Sequence, residues 1–466
     1  MSKPIKALLF GAGQRGTEAY GPYALAHPDQ LQFAAVAEPD PVRRESFARQ
    51  HGIPESLCFD SWEGALSAGK IADVVVNATP DRVHYPSAVA ALQAGYDMLL
   101  EKPICTRLEA AANLVHVAEE TGRYLQVCHV LRFTDFFRTV QQVVRSGRLG
   151  QLITISHREN VSSWHMAHSY VRGNWRREED TAPMLLTKSC HDLDLLYWFV
   201  GQPAERITSF GSLRHFKSEN APEGAPPRCT DGCPIEKTCP FYAPSIYIGM
   251  YPIRVALSQA KSPIFRFFGK LSLWNLDFTI WLASLIPPLR EFATYGGWPR
   301  SVISNNPSDR AALLKALQEG PYGRCVYRCD NDVVDHQVVE MEFGEGITAD
   351  FSMHGHSHEE GRTLRIDGSR ASLLGRFGYN AMYIEIHDHR SLAVERMEFP
   401  NTVESGGHGG GDFGLMEAFI KTLRGESQPE STAREALESH LMAFAAEHSR
   451  RNNQVVNLAA FRSTYE

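Results

Sequence analysis

The sequence predicts an α/β unit with a parallel sheet, joined to an α+β unit whose sheet is mostly antiparallel. Two observations carry that prediction. Over residues 1–127 short β-rich runs alternate with helix-patterned stretches, and over residues 128–466 strand-like runs follow one another with few helices between. Alternation demands crossover connections and so parallel strands, whereas strands in succession pair as antiparallel neighbours. A chain of 466 residues also exceeds what one ordinary core fills, which agrees with a division at that point.

In the first unit Ile5 to Phe10, Leu31 to Ala37, Ala72 to Val76 and Tyr96 to Leu100 read as strands. Thr17 to Ala26, Pro41 to His51, Trp62 to Ser67, Tyr85 to Ala94 and Leu108 to Thr121 carry helical spacing. In the second, Phe136 to Ser146 reads as a helix, followed by strand-like Leu152 to Arg158, Ile207 to Leu213, His336 to Phe343, Ile347 to Met353 and Thr363 to Asp367. Residues 217–327 are proline-rich and irregular and read as an insertion. Within it Leu271 to Leu289 is strongly apolar, flanked by Lys261, Arg266, Lys270 and Arg290. Asp277 near its middle and Pro287-Pro288 near its end argue against a membrane span. A buried or subunit-interface helix is the first expectation, and a peripheral membrane contact through 261–290 the second.

The formal charge of −7 is spread along the chain and leaves no basic footprint for nucleic acid. The opening MSKPIKALLF reads as a strand and not as a signal peptide, so a cytoplasmic location is expected. A homo-oligomer is expected as well.

The sharpest local signal is Gly11-Ala12-Gly13-Gln14-Arg15-Gly16, which follows a strand and opens a helix. This is the dinucleotide fingerprint in its required context: a tight turn, a close backbone approach to the pyrophosphate, and a helix packed hard on its strand. The helix N-terminus then faces the diphosphate with free N–H groups. The first unit is thus expected to be a Rossmann domain. Glu38 ends the second strand, where a carboxylate accepts hydrogen bonds from the ribose hydroxyls and repels a 2′-phosphate, which favours NAD over NADP. Arg43 and Arg44 weigh the other way, since an arginine there pairs with a 2′-phosphate; a solvated helix face is their alternative role.

Asn77-Ala78-Thr79-Pro80-Asp81 and Glu101-Lys102-Pro103 each end a strand at the carboxyl edge, with His84 just beyond the first. Gly11, Gly13, Gln14, Arg15, Gly16, Glu38, Asn77, Thr79, Pro80, His84, Glu101 and Lys102 are therefore the candidate cofactor residues. Together GAGQRG, NATPDRVH, EKP and Lys188-Ser189-Cys190-His191-Asp192-Leu193-Asp194 make the chain resemble the glucose-fructose oxidoreductase and inositol dehydrogenase family, also called MocA-type. The resemblance spans most of the chain outside the insertion. It implies that Lys102 hydrogen-bonds the hydroxyl being oxidised, with Pro103 commonly in a cis peptide, and that His191 acts as acid/base or orients that hydroxyl. A lysine beside a cationic nicotinamide exchanges a proton near neutrality more readily, which suits the role. The family pattern places an aspartate four residues before the histidine; here Thr187 stands there, and Lys188 beside it is the candidate to take over part of the chemistry or to bind an anionic group.

Arg132, Arg172, Trp175, Arg176 and His408, the last in the loop Gly406 to Asp412, are candidate substrate contacts, with surface ion pairs and a plain linker as their alternatives. The expected reaction is hydride transfer at a carbinol carbon of a sugar or polyol. Redox-neutral cleavage of a glycoside with recycled NAD is the alternative, and a non-catalytic sensor the third. Of nine cysteines, Cys229, Cys233, Cys239 and Cys325 suggest a structural zinc or iron–sulfur site, with Cys329 as an alternative fourth ligand; reduced thiols and disulfides are the other readings.

Overall fold

The computed structural model describes residues 3–260, 262–286, 295–378, 381–400 and 408–465. Lys261, Pro287, Pro288, Leu289, Arg290, Gly406 and Gly407 lie outside them.

Six parallel strands form the first sheet: β1 (Ile5–Phe10), β2 (Leu31–Ala37), β3 (Cys58–Phe59), β4 (Val74–Asn77), β5 (Asp97–Leu100) and β6 (Leu125–Val127), in the order β3-β2-β1-β4-β5-β6. The order reverses between β1 and β4, the crevice where open α/β sheets bind ligands. Both faces are covered, so the strands are apolar without alternation. Leu8, Phe10, Val75, Met98 and Leu100 fill one core, and Ala7, Leu9, Val36, Val76 and Leu99 fill the other.

Register is the feature that builds the site. Phe10 pairs with both Ala37 and Asn77, Asn77 with Leu100, and Leu100 with Val127. Five strands therefore end level, and the residues after them, Gly11, Glu38, Ala78, Glu101 and Cys128, form a row along the carboxyl edge.

Nine strands form the second sheet: β7 (Leu152–Ser162), β8 (Ala204–Ser212), β9 (His336–Phe343), β10 (Thr348–Ser357), β11 (Gly361–Gly368), β12 (Ala371–Gly378), β13 (Met382–Asp388), β14 (Val394–Glu398) and β15 (Val456–Asn457). Their order is β14-β13-β12-β11-β7-β10-β9-β8-β15, antiparallel throughout except for β7 with β10. The expected α/β plus α+β architecture is the one found.

Two C-terminal helices return to the first sheet. Gly411–Leu423 places Leu415, Met416 and Phe419 in one of its cores. Ala433–Asn452 gives Ala436, Leu437 and Leu441 to the other core, and Met442, Ala443, Ala445 and Ala446 to the core of the second sheet. The second helix thereby locks the two sheets together.

Within this chain the apolar stretch of the insertion is not one buried helix; the subunit-interface half of the expectation concerns a second copy. Asn275 caps a new helix through its side chain, accepting from the Phe278 N–H at 3.0 Å, so the run breaks into Pro263–Trp274 and Leu276–Leu285. Ile264, Phe267, Trp274, Trp281 and Leu285 are exposed, Trp274 by 77 %, and Asp277 pairs with Arg310 at 2.6 Å. Among the described residues no helix is long and apolar enough to cross a membrane.

Candidate active site

The glycine loop is shaped by steric need. Gly11 has φ +86°, and a Cβ there would lie 2.6 Å from the Ala78 carbonyl oxygen; a Cβ on Gly16 would lie 2.4 Å from that of Gly11. Gly13 faces open space. The backbone thus presses against its own sheet at two glycines and leaves the third clear, which is the cradle a pyrophosphate needs. The chain continues as a π-turn, Arg15–Tyr20, and then the helix Gly21–Ala26.

Glu38 is buried beside this loop, its carboxylate accepting from the Ala12 N–H at 2.7 Å and the Asp40 N–H at 3.0 Å. Arg44 donates to the Glu38 carbonyl at 2.6 Å and Arg43 lies 4.0 Å from Asp40, so both arginines have partners at home. Gln14 faces Glu18 at 3.3 Å.

Arg15 is a clamp. It pairs with Glu101 and donates to Asp412 at 2.6 Å, while Tyr20 donates to Glu101. Burial pushes the Asp412 carboxyl up, but Arg15 and His408 outweigh it and hold the group well below the usual carboxylate range. Glu101 is lowered in the same way, by Arg15 and Lys102 against burial. The network ties the glycine loop, the end of β5 and the Gly411–Leu423 helix into one charged joint.

Asn77 is fully buried, donating to Ser87 Oγ at 2.8 Å and accepting from Thr79 Oγ1 at 2.7 Å; Pro80 is exposed. His84 has its ring nitrogens 2.7 Å from the Pro103 carbonyl and 2.8 Å from the Thr79 carbonyl. Its ring stands between two edge loops, with both nitrogens against backbone carbonyls.

Lys102 reaches across to the second unit, where its Nζ donates to the Thr187 carbonyl at 2.9 Å, and Lys102-Pro103 is a cis peptide. Its charge acts on His129 and His191, which belong to a run of imidazoles: the His129 and His191 ring centroids are 5.7 Å apart, His191 and His408 6.2 Å, and His129 and His440 6.0 Å. His129 and His191 are buried, with both nitrogens of the first and Nδ1 of the second lacking a partner. Burial, with the charges of Arg132 and Lys102 for His129 and of Lys102 for His191, holds both far below the ordinary histidine range. Both are neutral at pH 7 and have nitrogens free to take a proton. His408 is fixed by Asp412 at 3.2 Å. His129 was not a sequence candidate. It follows β6 by two residues as Lys102 follows β5, and that offset was the available signal.

The remaining candidates are occupied elsewhere. Lys188 lies 3.3 Å from both Glu159 and Glu360, and these carboxylates, against burial, raise its pKa, so it stays charged and is not a proton carrier. Its surroundings form one buried network, with Arg362 on Glu159 and Asp192 at 2.7 Å each and His157 on Asp192 at 2.8 Å. Arg132 holds Asp194 through two bonds of 2.7 Å, Arg172 is fully buried in the insertion, and Arg176 pairs with Asp330 at 2.9 Å. All three are thus engaged by the fold itself. Trp175 donates to Asp81 at 3.0 Å and bridges the second unit to the loop after β4.

No zinc site forms: among the described residues no three His, Cys, Asp or Glu side chains gather closely enough for a single metal ion. The nine cysteines are free.

Comparison with known proteins adds to this geometry. The NAD-binding Rossmann-fold profile of the GFO/IDH/MocA oxidoreductase family matches residues 5–129, a C-terminal domain profile of that family 137–225, and its C-terminal alpha/beta domain profile 259–458. An inositol 2-dehydrogenase of Corynebacterium glutamicum is 28 % identical over 210 residues, which is 43 % of this chain and 56 % of the relative. A 2,7-anhydro-N-acetylneuraminate hydratase of Escherichia coli is 24 % identical over 177 residues, 38 % of this chain and 45 % of the relative. The chain thus spans about half the length of these two. An Agrobacterium radiobacter oxidoreductase, solved with NAD+, L-tartaric acid and magnesium, superposes with a TM-score of 0.64 at 13 % identity, over 98 % of this chain and 99 % of that one.

Proposed function

We propose, because the chain belongs to the GFO/IDH/MocA oxidoreductase family, that it is an NAD(H)-dependent oxidoreductase acting on a carbinol carbon of a sugar or polyol. In this reading residues 1–127 hold the dinucleotide and 128–466 supply the substrate side. The observation that carries it is Lys102 at the sheet edge with two neutral, unpartnered imidazoles beside it.

Gly11, Gly13 and Gly16 fit a dinucleotide by the steric test above, and Glu38 keeps lone pairs for ribose hydroxyls. When bound, the nicotinamide supplies a hydride acceptor or donor. The chain's own residues manage the proton. An ammonium has three N–H groups, and Lys102 uses one on Thr187, leaving two to grip a substrate hydroxyl. His191 Nδ1, buried and without a partner, supports a role in accepting a hydrogen bond from that hydroxyl and orienting it, and its lowered proton affinity keeps the ring neutral for the purpose. Thr187, at the position where the family pattern has an aspartate beside the histidine, contributes its carbonyl to Lys102 instead.

A second reading is redox-neutral cleavage, in which a transient ketone acidifies the adjacent C–H and a base expels a leaving group. Its support is His129, a second neutral base in the same cluster, together with a relative named as a hydratase. Incubating the NAD-loaded enzyme with inositols, sugars and glycosides, and following NADH absorbance with product mass, separates the two. Stoichiometric NADH is the expected result; cleaved product without NADH establishes the second reading instead.

A further inference from the structure

Cys229, Cys233, Cys239 and Cys325, more than eighty residues apart at their extremes, line a single small cavity in the insertion together with Arg172 and Tyr327. The backbone fixes two of them across from each other: the Cys229 N–H donates to the Gly323 carbonyl at 2.9 Å and the Cys325 N–H to the Pro227 carbonyl at 2.8 Å, with Arg228 and Arg324 bridged between. Burial pushes the Cys239 and Cys325 thiols up, and the backbone of Phe241 and of Tyr327 beside them works the other way.

Arg172 is the independent sign that something anionic belongs there. Its side chain is 0 % exposed and borders the cavity. Nε donates to the Arg324 carbonyl at 2.7 Å and Nη2 to the Phe241 carbonyl at 2.7 Å, with Cys229 Sγ at 3.5 Å; Nη1 has no partner. Among the described residues no carboxylate pairs with it. A buried guanidinium that faces carbonyls, a thiol and the Tyr247 phenol, with no carboxylate among them, is costly, because no full negative charge offsets its desolvation.

We propose that the four cysteines ligate a [4Fe–4S] cluster, which ties the two ends of the insertion together and supplies the negative charge that Arg172 lacks. The four donors line one small cavity, as the ligands of a polynuclear core must. On ligation each thiol gives up its proton to solvent, and the resulting tetrathiolate cluster is an anion against the guanidinium. Hydrogen bonds to the sulfurs are the usual outer contacts of such centres.

The test is iron, acid-labile sulfide and zinc content of the full-length chain purified and reconstituted anaerobically with iron and sulfide. About four iron and four sulfide per chain are expected, with a visible absorbance that dithionite bleaches. Cys229→Ala and Cys239→Ala should lose both, while Cys58→Ala, on β3, keeps them. A folded wild-type chain that takes up neither iron nor sulfide overturns the proposal, as does one zinc per chain without sulfide, or full iron retained in both cavity variants. The wild-type measurement decides even where a variant fails to fold.

Discussion

Replacing Asp412 by alanine should cost about 2–3 kcal/mol of stability at pH 7. The carboxylate is 0 % exposed and takes Arg15 at 2.6 Å and His408 at 3.2 Å. Breaking a fully buried pair costs about 3–5 kcal/mol, because the orphaned charge stays desolvated. Arg15 escapes part of that: its side chain is 29 % exposed and it keeps Glu101 and Tyr20, which moves the figure to the lower end. The assay is urea unfolding by tryptophan fluorescence, in a double-mutant cycle with Arg15→Ala at pH 7 and in acid. Coupling above about 1 kcal/mol is expected between the two positions. The sign with pH follows from the lowered carboxyl: its contribution is complete above the unfolded value of about 3.9 and fades as pH falls toward the much lower folded value, so wild type and variant should converge in strong acid. Additive single costs, or a change below about 0.5 kcal/mol for Asp412→Ala, would refute the joint.

Glu38→Ala should erode discrimination between NAD and NADP more than it weakens NAD binding; an unchanged preference in fluorescence titrations would mean that another residue reads the ribose. Lys102→Met should lower kcat by about 10²–10⁴-fold while leaving NAD affinity within a few-fold, and a variant of near wild-type turnover would remove the lysine from the chemistry. Stability should be level above pH 6.5 and decline below it, because five buried or half-buried histidines are held down: His51 to about 4, His168 and His440 to about 3, and His129 and His191 well below the ordinary range. The unfolded chain binds their protons near pH 6.5, so each contributes up to about 1.4 kcal/mol per pH unit until its folded value is reached. A flat urea midpoint between pH 7.5 and 5 contradicts this.

The first unit was legible because strand, glycine turn, helix and acidic strand end recur in a fixed order, and β1, β2 and the Pro41–His51 helix fall where the pattern put them. What was missed has physical causes. β6 is Leu-Gln-Val, too short to show a period, and with it went His129. β7 runs on past Arg158 because Glu159, fully buried, is neutralised by Arg362 and Lys188; a charge in a strand reads as its end until its partners are known. The Ala433–Asn452 helix is buried toward two cores at once, so its apolar residues form no single stripe, and buried Ser439, His440 and Glu447 dilute them further.

The site divides by charge compensation, and sequence cannot display that. Lys188 and His191 are three residues apart, yet Lys188 is consumed by two carboxylates while His191 keeps a nitrogen bare. Arg132 looked as available as Lys102, but its partner Asp194 lies 62 residues on and satisfies it through two short bonds. Buried polar groups are ordinarily paired because leaving them bare costs a kilocalorie or more each. The fold satisfies Arg132, Lys188, Arg362, Asp192 and Asp412; bare buried atoms also occur elsewhere, on Gln126 and Gln141 for example, but three imidazole nitrogens of His129 and His191 stand bare within one ring contact of each other, where a substrate would relieve them together. By the same reasoning the bare Nη1 of Arg172 points to the cysteine cavity as a second place where the chain is incomplete by itself.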